Sequence, residues 1–240
     1  GAFMDRLPKL EIVANMGVGY DSIDAAEAAR RGIVVTNTPD VLTEEVADTA
    51  LGLILMTVRE LSAAERHLLA GKWEREGNYR LTPATMRDRT VGIVGLGRIG
   101  LAIARRLDAM RVPVVYHTRS EKAGLPYRYF ADLREMAEAV DTLVAVLPGT
   151  PETRGAIGMD ILRALGPNGI LINIGRGSVV DEAALIEALR TGVIRAAGLD
   201  VFTDEPHVPP GLMALDNVVL LPHVGSGSVH TRNAMGQLMV

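Results

Sequence analysis

The sequence contains no cysteine among its 240 residues, which excludes disulfide bonds, thiol nucleophiles and cysteine-rich zinc sites. It also has no block of like charge, because 25 basic and 29 acidic residues are mixed along the chain, so no segment favours nucleic acid as a partner. The most apolar stretch, residues 49–58, is about half the length that spans a bilayer, and residues 1–10 lack the apolar core of a signal peptide. We therefore expect a globular cytoplasmic protein with no metal site and no nucleic-acid or membrane partner.

A glycine-rich turn stands between a predicted strand and a predicted helix. The apolar run at residues 91–94 is followed by Gly95, Gly97 and Gly100, and residues 98–110 have a helical pattern. G-x-G-x-x-G in this setting is typical of dinucleotide binding, because the glycines permit a tight turn, close approach of a pyrophosphate and close packing of helix on strand. The N–H groups at the helix start then face the phosphate oxygens. The alternative is a tight turn that binds nothing.

From residue 90 onward the sequence alternates between apolar strands and helices. Such alternation predicts a doubly wound parallel sheet covered on both faces, the Rossmann arrangement, with ligands beyond the carboxyl ends of the strands. The predicted strands are residues 91–94, 112–116, 142–147, 169–174, 196–201 and 218–221, and the predicted helices are residues 98–110, 131–139, 151–165 (capped by Thr150) and 181–191.

The first 82 residues predict a smaller unit. Strands are expected at residues 10–16 and 33–37, with a helix between them that Asp21 or Ser22 caps, then a long helix over residues 43–70 capped by Thr43, and an extended segment over residues 72–83. We therefore expect a partial substrate domain with the long linking helix at residues 1–82, a dinucleotide-binding domain at 83–224, and the start of a returning C-terminal segment at 225–240.

The segment after the second strand of the large domain indicates which dinucleotide is bound. A free ribose 2′-hydroxyl is usually held by an acidic residue there. Here the residues are His117, Thr118, Arg119 and Ser120, with no acid. A guanidinium and hydroxyl groups suit a phosphate, which predicts a preference for NADP(H), with NAD(H) remaining open. The alternative is that Arg119 is a solvated loop residue.

Three residues after strands have the chemistry for hydride transfer to a 2-oxo acid. Arg176 is suited to hold a carboxylate and polarise a carbonyl, and His223 is suited to supply a proton near neutral pH. Glu205 is suited to orient the imidazole and favour its charged form. Each residue alone is a weak signal, and the prediction depends on all three lying at the same sheet edge as the glycine turn.

The sequence resembles the D-isomer-specific 2-hydroxyacid dehydrogenase family, and within it the glyoxylate/hydroxypyruvate reductase branch. The motifs that carry this resemblance are Gly17-Val18-Gly19-Tyr20-Asp21, Gly95-Leu96-Gly97-Arg98-Ile99-Gly100, Pro148-Gly149-Thr150-Pro151-Glu152-Thr153, Asn173-Ile174-Gly175-Arg176-Gly177, Gly198-Leu199-Asp200-Val201-Phe202, Asp204-Glu205-Pro206 and Pro222-His223-Val224-Gly225-Ser226.

The resemblance implies a role for each matching residue. Arg176 would bind substrate, His223 would be the acid/base and Glu205 its partner, and the backbone at Val18 and Gly19 would hold the substrate carboxylate. Arg98 and Ile99 would meet the pyrophosphate, and Asp200 would hold the nicotinamide carboxamide. The other implied cofactor-binding residues are Thr49, Gly95, Gly97, Gly100, His117, Thr118, Arg119, Ser120, Leu147, Pro148, Thr153, Ile174, Gly175, His223 and Gly225.

The resemblance also implies an NADPH-preferring 2-oxo acid reductase that acts as a homodimer, in which the long helix and residues 72–83 wrap the second subunit. Family members have further segments at both ends, so the flavodoxin-like substrate domain is expected to be incomplete here and this chain alone to be poorly active. One alternative is an NAD(P)-binding interaction module without turnover. Another is a formate dehydrogenase, which the Glu at 205 disfavours because that family has Gln there.

Overall fold

A computed structural model describes residues 2–240 as two parallel sheets and their flanking helices. The strands are β1 (Ile12–Ala14), β2 (Val34–Thr36), β3 (Val91–Val94), β4 (Val114–His117), β5 (Arg128–Phe130), β6 (Thr142–Ala145), β7 (Ile170–Asn173), β8 (Ala196–Leu199) and β9 (Val218–Leu220). The helices are α1 (Ala2–Asp5), α2 (Ala25–Arg30), α3 (Thr43–Val58), α4 (Leu61–Leu69), α5 (Lys72–Glu76), α6 (Arg98–Ala109), α7 (Leu133–Glu138), α8 (Met159–Leu165), α9 (Glu182–Thr191), α10 (Pro210–Met213) and α11 (Val229–Met239).

The large sheet has the strand order β5-β4-β3-β6-β7-β8-β9, and every pair is parallel. Every residue of β3, β6, β7 and β8 is buried, because α3 and α6 cover one face and α7, α8 and α9 cover the other. The chain moves outward in opposite directions from β3 and β6, so the point where the strand order reverses lies directly beside the glycine turn. This confirms the predicted doubly wound sheet and places its ligand crevice at this turn.

Helix α3 connects the small sheet to the large one. Its buried side chains, including Leu53 and Ile54, pack on the large sheet. The contact is close at Gly198, where an added Cβ would lie 2.5 Å from Thr57 Oγ1 and 2.9 Å from Leu53 Cγ. Gly198 of β8 therefore permits α3 to lie against the sheet. This packing brings the start of α3 to the ligand edge.

The single long helix predicted over residues 43–70 is wrong. It is two helices, α3 and α4, separated at Arg59 and at Glu60, whose φ is 53°. The Thr57 hydroxyl donates to the Leu53 carbonyl within the last turn of α3. No residue of α4 is buried, in contrast to the seven buried residues of α3. The expected cap Thr43 is also wrong, since the N-cap is Leu42 and makes no side-chain bond.

Other local predictions also differ from the structure. The helix predicted from residue 151 begins only at Met159, because residues 150–155 form turns in which the Thr153 hydroxyl donates 2.6 Å to the Pro148 carbonyl. The N-cap of α2 is Asp24, which accepts 3.0 Å from the Glu27 N–H, rather than Asp21 or Ser22. The short edge strand β5 was not predicted, and the segment predicted as extended over residues 72–83 begins with helix α5.

The small sheet consists of β1 and β2 in parallel register. Helix α2 packs beside it through Ala28. Ile33, directly before β2, and Met4 of α1 belong to the same small apolar cluster. The carboxyl ends of both strands lead to the loop at residues 15–19 and to residues 37–40, which face the large sheet's ligand edge. Within residues 2–240, no helix is both long and apolar enough to cross a membrane.

Candidate active site

Two cavities meet at the carboxyl edge of the large sheet. One is about 310 Å³ and the other about 870 Å³, and both are lined by Gly19, Arg176 and His223. Asp200 lines the smaller cavity and Glu205 the larger one. The loops after β7, β8 and β9 converge here because parallel strands direct their carboxyl ends to one edge. The three residues predicted to carry the chemistry therefore do lie together.

His223 is bound through its ring to Glu205. Nδ1 of His223 lies 2.6 Å from Oε2 of Glu205, and Oε1 of the same carboxylate accepts 2.9 Å from the Phe202 N–H. An ionised carboxylate only accepts hydrogen bonds, so Nδ1 carries the proton in this pair. The ring is half-exposed and lines both cavities, which leaves Nε2 as the nitrogen available to a ligand.

The turn that carries His223 is held by Asp200. The Asp200 carboxylate accepts from the N–H groups of Val224 at 2.8 Å and Gly225 at 2.9 Å, and its carbonyl accepts from the His223 N–H at 2.9 Å. Burial raises the pKa of Asp200, and the two backbone N–H groups partly oppose that shift. His223 has a φ of 52°, a strained value for a residue with a side chain, and these three bonds stabilise it.

Arg176 is fixed by partners on both sides of the cleft. Its Nε donates 2.8 Å to Oδ1 of Asp21, and its Nη1 donates 2.8 Å to the Gly175 carbonyl. The buried Asn173 donates 2.9 Å from Nδ2 to the Arg176 carbonyl. An ideal Cβ built on Gly19 would lie 1.5 Å from Nη2, so the guanidinium occupies the space that a side chain at this position would need.

The loop at residues 17–19 lines the smaller of these cavities. Asn15 donates from Nδ2 to the carbonyls of Gly17 and Gly19, both at 3.0 Å, and Asn37 donates 2.9 Å to the Val18 carbonyl. Within residues 2–240 the N–H groups of Val18 and Gly19 have no hydrogen-bond partner. Two unpaired donors beside a guanidinium form a site that suits a carboxylate.

The glycine turn has the shape that a pyrophosphate requires. Gly95 has a φ of 99°, and a Cβ there would lie 2.8 Å from the Val146 carbonyl oxygen. A Cβ on Gly100 would lie 2.3 Å from the Gly95 carbonyl oxygen. Gly97 is the N-cap of α6 and, as a glycine, has no side chain to bond the first N–H groups of the helix. A Cβ built on Gly97 would have no atom within 4 Å. The chain therefore fits a dinucleotide phosphate at the start of α6.

The two residues expected at the pyrophosphate begin α6. Arg98 is exposed and forms an ion pair with Asp40, with Nε 2.8 Å from Oδ1. Ile99 is partly buried and packs on the core. The Arg98–Asp40 ion pair joins the glycine turn to the segment that follows β2.

The segment predicted to recognise a 2′-phosphate follows β4 as expected. His117 ends the strand, and its Nδ1 lies 3.0 Å from the Phe130 carbonyl. The Thr118 hydroxyl donates 2.7 Å to the Ser120 carbonyl, which closes a tight turn. Arg119 and Ser120 are exposed at its tip.

The remaining predicted residues lie around the crevice. The Thr49 hydroxyl donates 3.3 Å to the Gly225 carbonyl, so α3 contacts the loop of His223. Ile174 lines the smaller cavity, and a Cβ on Gly175 would lie 2.7 Å from the Leu147 carbonyl. Pro148 and Thr153 bond to each other, as described above.

Four polar residues that hold the site together were not among the predicted site residues. Asn15, Asn37 and Asn173 fasten the loops, and Asp21 binds Arg176 rather than capping a helix. Each asparagine ends or directly follows a strand, and a polar amide at that position is the signal that marks it. Asp21 has no comparable signal, because its partner lies 155 residues away.

Comparison with known proteins shows similarity to one family. Residues 51–225 match the model of the D-isomer specific 2-hydroxyacid dehydrogenase, NAD binding domain. The chain is 50% identical over 234 residues to glyoxylate/hydroxypyruvate reductase A of Arabidopsis thaliana, covering 98% of this chain and 74% of that protein. It is 43% identical to a glyoxylate reductase of Pyrococcus furiosus, covering 98% of this chain and 72% of that protein.

Solved structures show the same relationship. The structure of an NADPH-dependent glyoxylate/hydroxypyruvate reductase from Sinorhizobium meliloti, in complex with NADP and malonate, has a TM-score of 0.96 and 61% sequence identity to this chain. The match covers 98% of this chain and 74% of the chain in that structure. The chain therefore belongs to the D-isomer specific 2-hydroxyacid dehydrogenase family.

Proposed function

We propose that this protein is an NADPH-preferring 2-oxo acid reductase that converts glyoxylate or hydroxypyruvate to the 2-hydroxy acid. The observation that carries the proposal is that Arg176 and the His223–Glu205 pair line one cleft beside the loop at residues 17–19. The reductases of Arabidopsis thaliana and Sinorhizobium meliloti named above support the same reaction.

Substrate binding is assigned to Arg176 and the loop backbone. Nη2 of Arg176 lies against Gly19, where the unpaired N–H groups of Val18 and Gly19 also lie. A 2-oxo acid carboxylate accepts from these groups, and the guanidinium also polarises the keto group.

Proton transfer is assigned to His223. Glu205 holds Nδ1, so the protonated imidazole directs Nε2 and its proton into the cleft. As the keto oxygen gains negative charge, Nε2 donates its proton to that oxygen, and Glu205 stabilises the charged ring before transfer. When bound, the reduced nicotinamide supplies the hydride that the keto carbon accepts.

The cofactor is assigned to the crevice at the glycine turn. The start of α6 would hold the pyrophosphate, and Asp200, which lines the smaller cavity, would hold the carboxamide. The preference for NADPH is supported by Arg119, Thr118 and Ser120 in place of an acid after β4. Comparing kcat/KM for NADPH and NADH tests this preference, and equal values would refute it.

The assay of the reaction is NADPH oxidation by the purified protein with glyoxylate, hydroxypyruvate and pyruvate. The proposal expects turnover of glyoxylate or hydroxypyruvate that His223→Ala abolishes. Binding of NADPH with no oxidation in the presence of any of these acids would instead favour a non-catalytic interaction module.

We also propose a homodimer formed through α4, α5 and the segment after them. Leu69, Trp73 and Leu81 are 77%, 58% and 95% exposed, and a second copy of the chain would cover these apolar side chains. Light scattering should give twice the 25.7 kDa chain mass, and Leu69→Lys should shift it toward the monomer. Met213→Lys, at an exposed position on α10, is the matched control; a wild-type monomer would refute the dimer.

A further inference from the structure

The loop expected to receive the 2′-phosphate is held at both ends by tyrosine hydroxyl groups. The Tyr129 hydroxyl donates 3.1 Å to the Thr118 carbonyl at the start of the loop. The Tyr116 hydroxyl accepts 2.9 Å from the Lys122 N–H at its end. Arg119 lies between these two anchors.

The two tyrosines form one rigid unit. Tyr116 on β4 and Tyr129 on the edge strand β5 are direct partners in register, and their ring centroids lie 5.4 Å apart. Tyr116 is buried and Tyr129 is partly buried, so neither ring has much freedom. The phenol groups can both donate and accept, and the backbone groups of the loop supply the complementary atoms.

A third contact joins β4 to β5 immediately before the loop. The Phe130 carbonyl can only accept, so Nδ1 of His117 carries the proton in their 3.0 Å contact. This sets the ring orientation at the first residue of the segment. The two tyrosine hydroxyl groups thus anchor a turn whose own internal bond joins Thr118 and Ser120.

Arg119 is exposed at the tip of this turn. The pKa of Glu152 is lowered mainly by a hydrogen bond from Thr150, with a smaller contribution from the Arg119 guanidinium. Glu152 follows β6, on the other side of β3 from β4. The loop of Arg119 and the loop of Glu152 therefore flank the carboxyl end of β3, where the adenosine end of a dinucleotide would pass.

We propose that Tyr129 and Tyr116 are positioning residues, which hold residues 118–122 in the shape in which Arg119, Thr118 and Ser120 receive the 2′-phosphate. The inference rests on the proposed NADPH preference and adds residues that do not touch the cofactor. Its physical basis is preorganisation: a loop already in its bound shape loses less conformational entropy when the phosphate binds.

The test is isothermal titration calorimetry of NADP⁺ and NAD⁺ with wild-type protein and single variants, with a thermal melt of each variant as the folding check. Tyr129→Phe keeps the ring and removes only the hydroxyl, so its dissociation constant for NADP⁺ should rise about 2- to 10-fold. The constant for NAD⁺, which lacks the 2′-phosphate, should change less than about twofold. Tyr116→Phe should have the same effect.

Tyr127→Phe is the matched control. The Tyr127 hydroxyl donates 2.5 Å to Asp108, away from residues 118–122. Burial of the side chain and this hydrogen bond raise the pKa of Tyr127 to about 12. Removing that hydroxyl should leave the ratio of the two dissociation constants unchanged. A ratio altered as much as in Tyr129→Phe would overturn the proposal.

Wild-type binding and Arg119→Ala together separate failure of the inference from failure of the proposed cofactor. Equal wild-type dissociation constants for NADP⁺ and NAD⁺ would show that the NADPH preference itself is wrong, and an unchanged ratio in Arg119→Ala would overturn the inference, because the tyrosines are proposed to act through Arg119. If Arg119→Ala lowers the preference but Tyr129→Phe weakens both cofactors equally or neither, only the positioning role is wrong. In a variant that carries both Arg119→Ala and Tyr129→Phe, the second substitution should hardly change the ratio of the two dissociation constants further, because Tyr129 acts through Arg119.

Discussion

Replacing Gly19 by alanine should separate activity from stability. The new Cβ would lie 1.5 Å from Nη2 and 2.6 Å from Cζ of Arg176, so the guanidinium has to move. The atom displaced is the end of a flexible side chain, and movement is therefore cheap for the fold. It is costly for the reaction, because the guanidinium is the group that would hold and polarise the substrate.

The magnitudes follow from the bonds at stake. Losing one charged hydrogen bond to the substrate costs about 1.5–3 kcal/mol, which corresponds to a roughly 10- to 150-fold lower kcat/KM for glyoxylate. The Arg176–Asp21 ion pair is 28% and 40% exposed at its two side chains, so its loss should lower the free energy of unfolding by no more than about 1 kcal/mol. The dissociation constant for NADP⁺ should stay within about twofold of wild type, since the displaced bond is one to substrate.

Gly17→Ala provides the matched control in the same loop. The nearest atoms to a Cβ at Gly17 lie at 3.5 and 3.6 Å, which is ordinary van der Waals contact. Steady-state kinetics on the two variants, with urea unfolding of each, make the comparison. Wild-type kcat/KM in Gly19→Ala, or an equal loss in Gly17→Ala, would refute the reasoning.

The remaining predictions concern the proton donor and the glycine turn. His223→Asn should lower kcat about 10²- to 10⁴-fold. Glu205→Gln keeps the shape of the side chain but removes its charge, so it should also lower kcat, and unchanged NADP⁺ binding by calorimetry is the control for this variant. Gly100→Ala should lower the free energy of unfolding by about 1–3 kcal/mol in urea titrations, because its Cβ would lie 2.3 Å from the backbone oxygen of Gly95. Gly97→Ala should retain stability, since nothing lies within 4 Å of its Cβ, yet weaken NADP⁺ binding; equal stabilities of the two alanine variants would contradict this account.

The site was predictable where strand order determines position. Arg176, Glu205 and His223 follow strands of one parallel sheet, so their convergence could be inferred before their distances were known. The glycine turn was predictable because each glycine has a separate steric reason that the structure also shows.

The local errors arise where tertiary contacts or single hydrogen bonds override a pattern. Glu60 adopts a left-handed φ without being glycine, so the helical pattern through it gave no sign of the break. Thr150 and Pro151 are typical of a helix start, but the Thr153 hydroxyl binds the Pro148 carbonyl and the chain turns instead. Asp21 has the residue type of a helix cap, and only the folded chain brings it to Arg176.

The most direct test of the central claim is a crystal structure of the protein with NADP⁺ and oxamate, an unreactive analogue of a 2-oxo acid. We expect the carboxylate of oxamate on Arg176 and the N–H groups of Val18 and Gly19. We also expect the amide oxygen, which occupies the place of the keto oxygen, at about 2.6–3.2 Å from Nε2 of His223. Oxamate bound away from His223, or with its carboxylate turned away from Arg176, would contradict the claim.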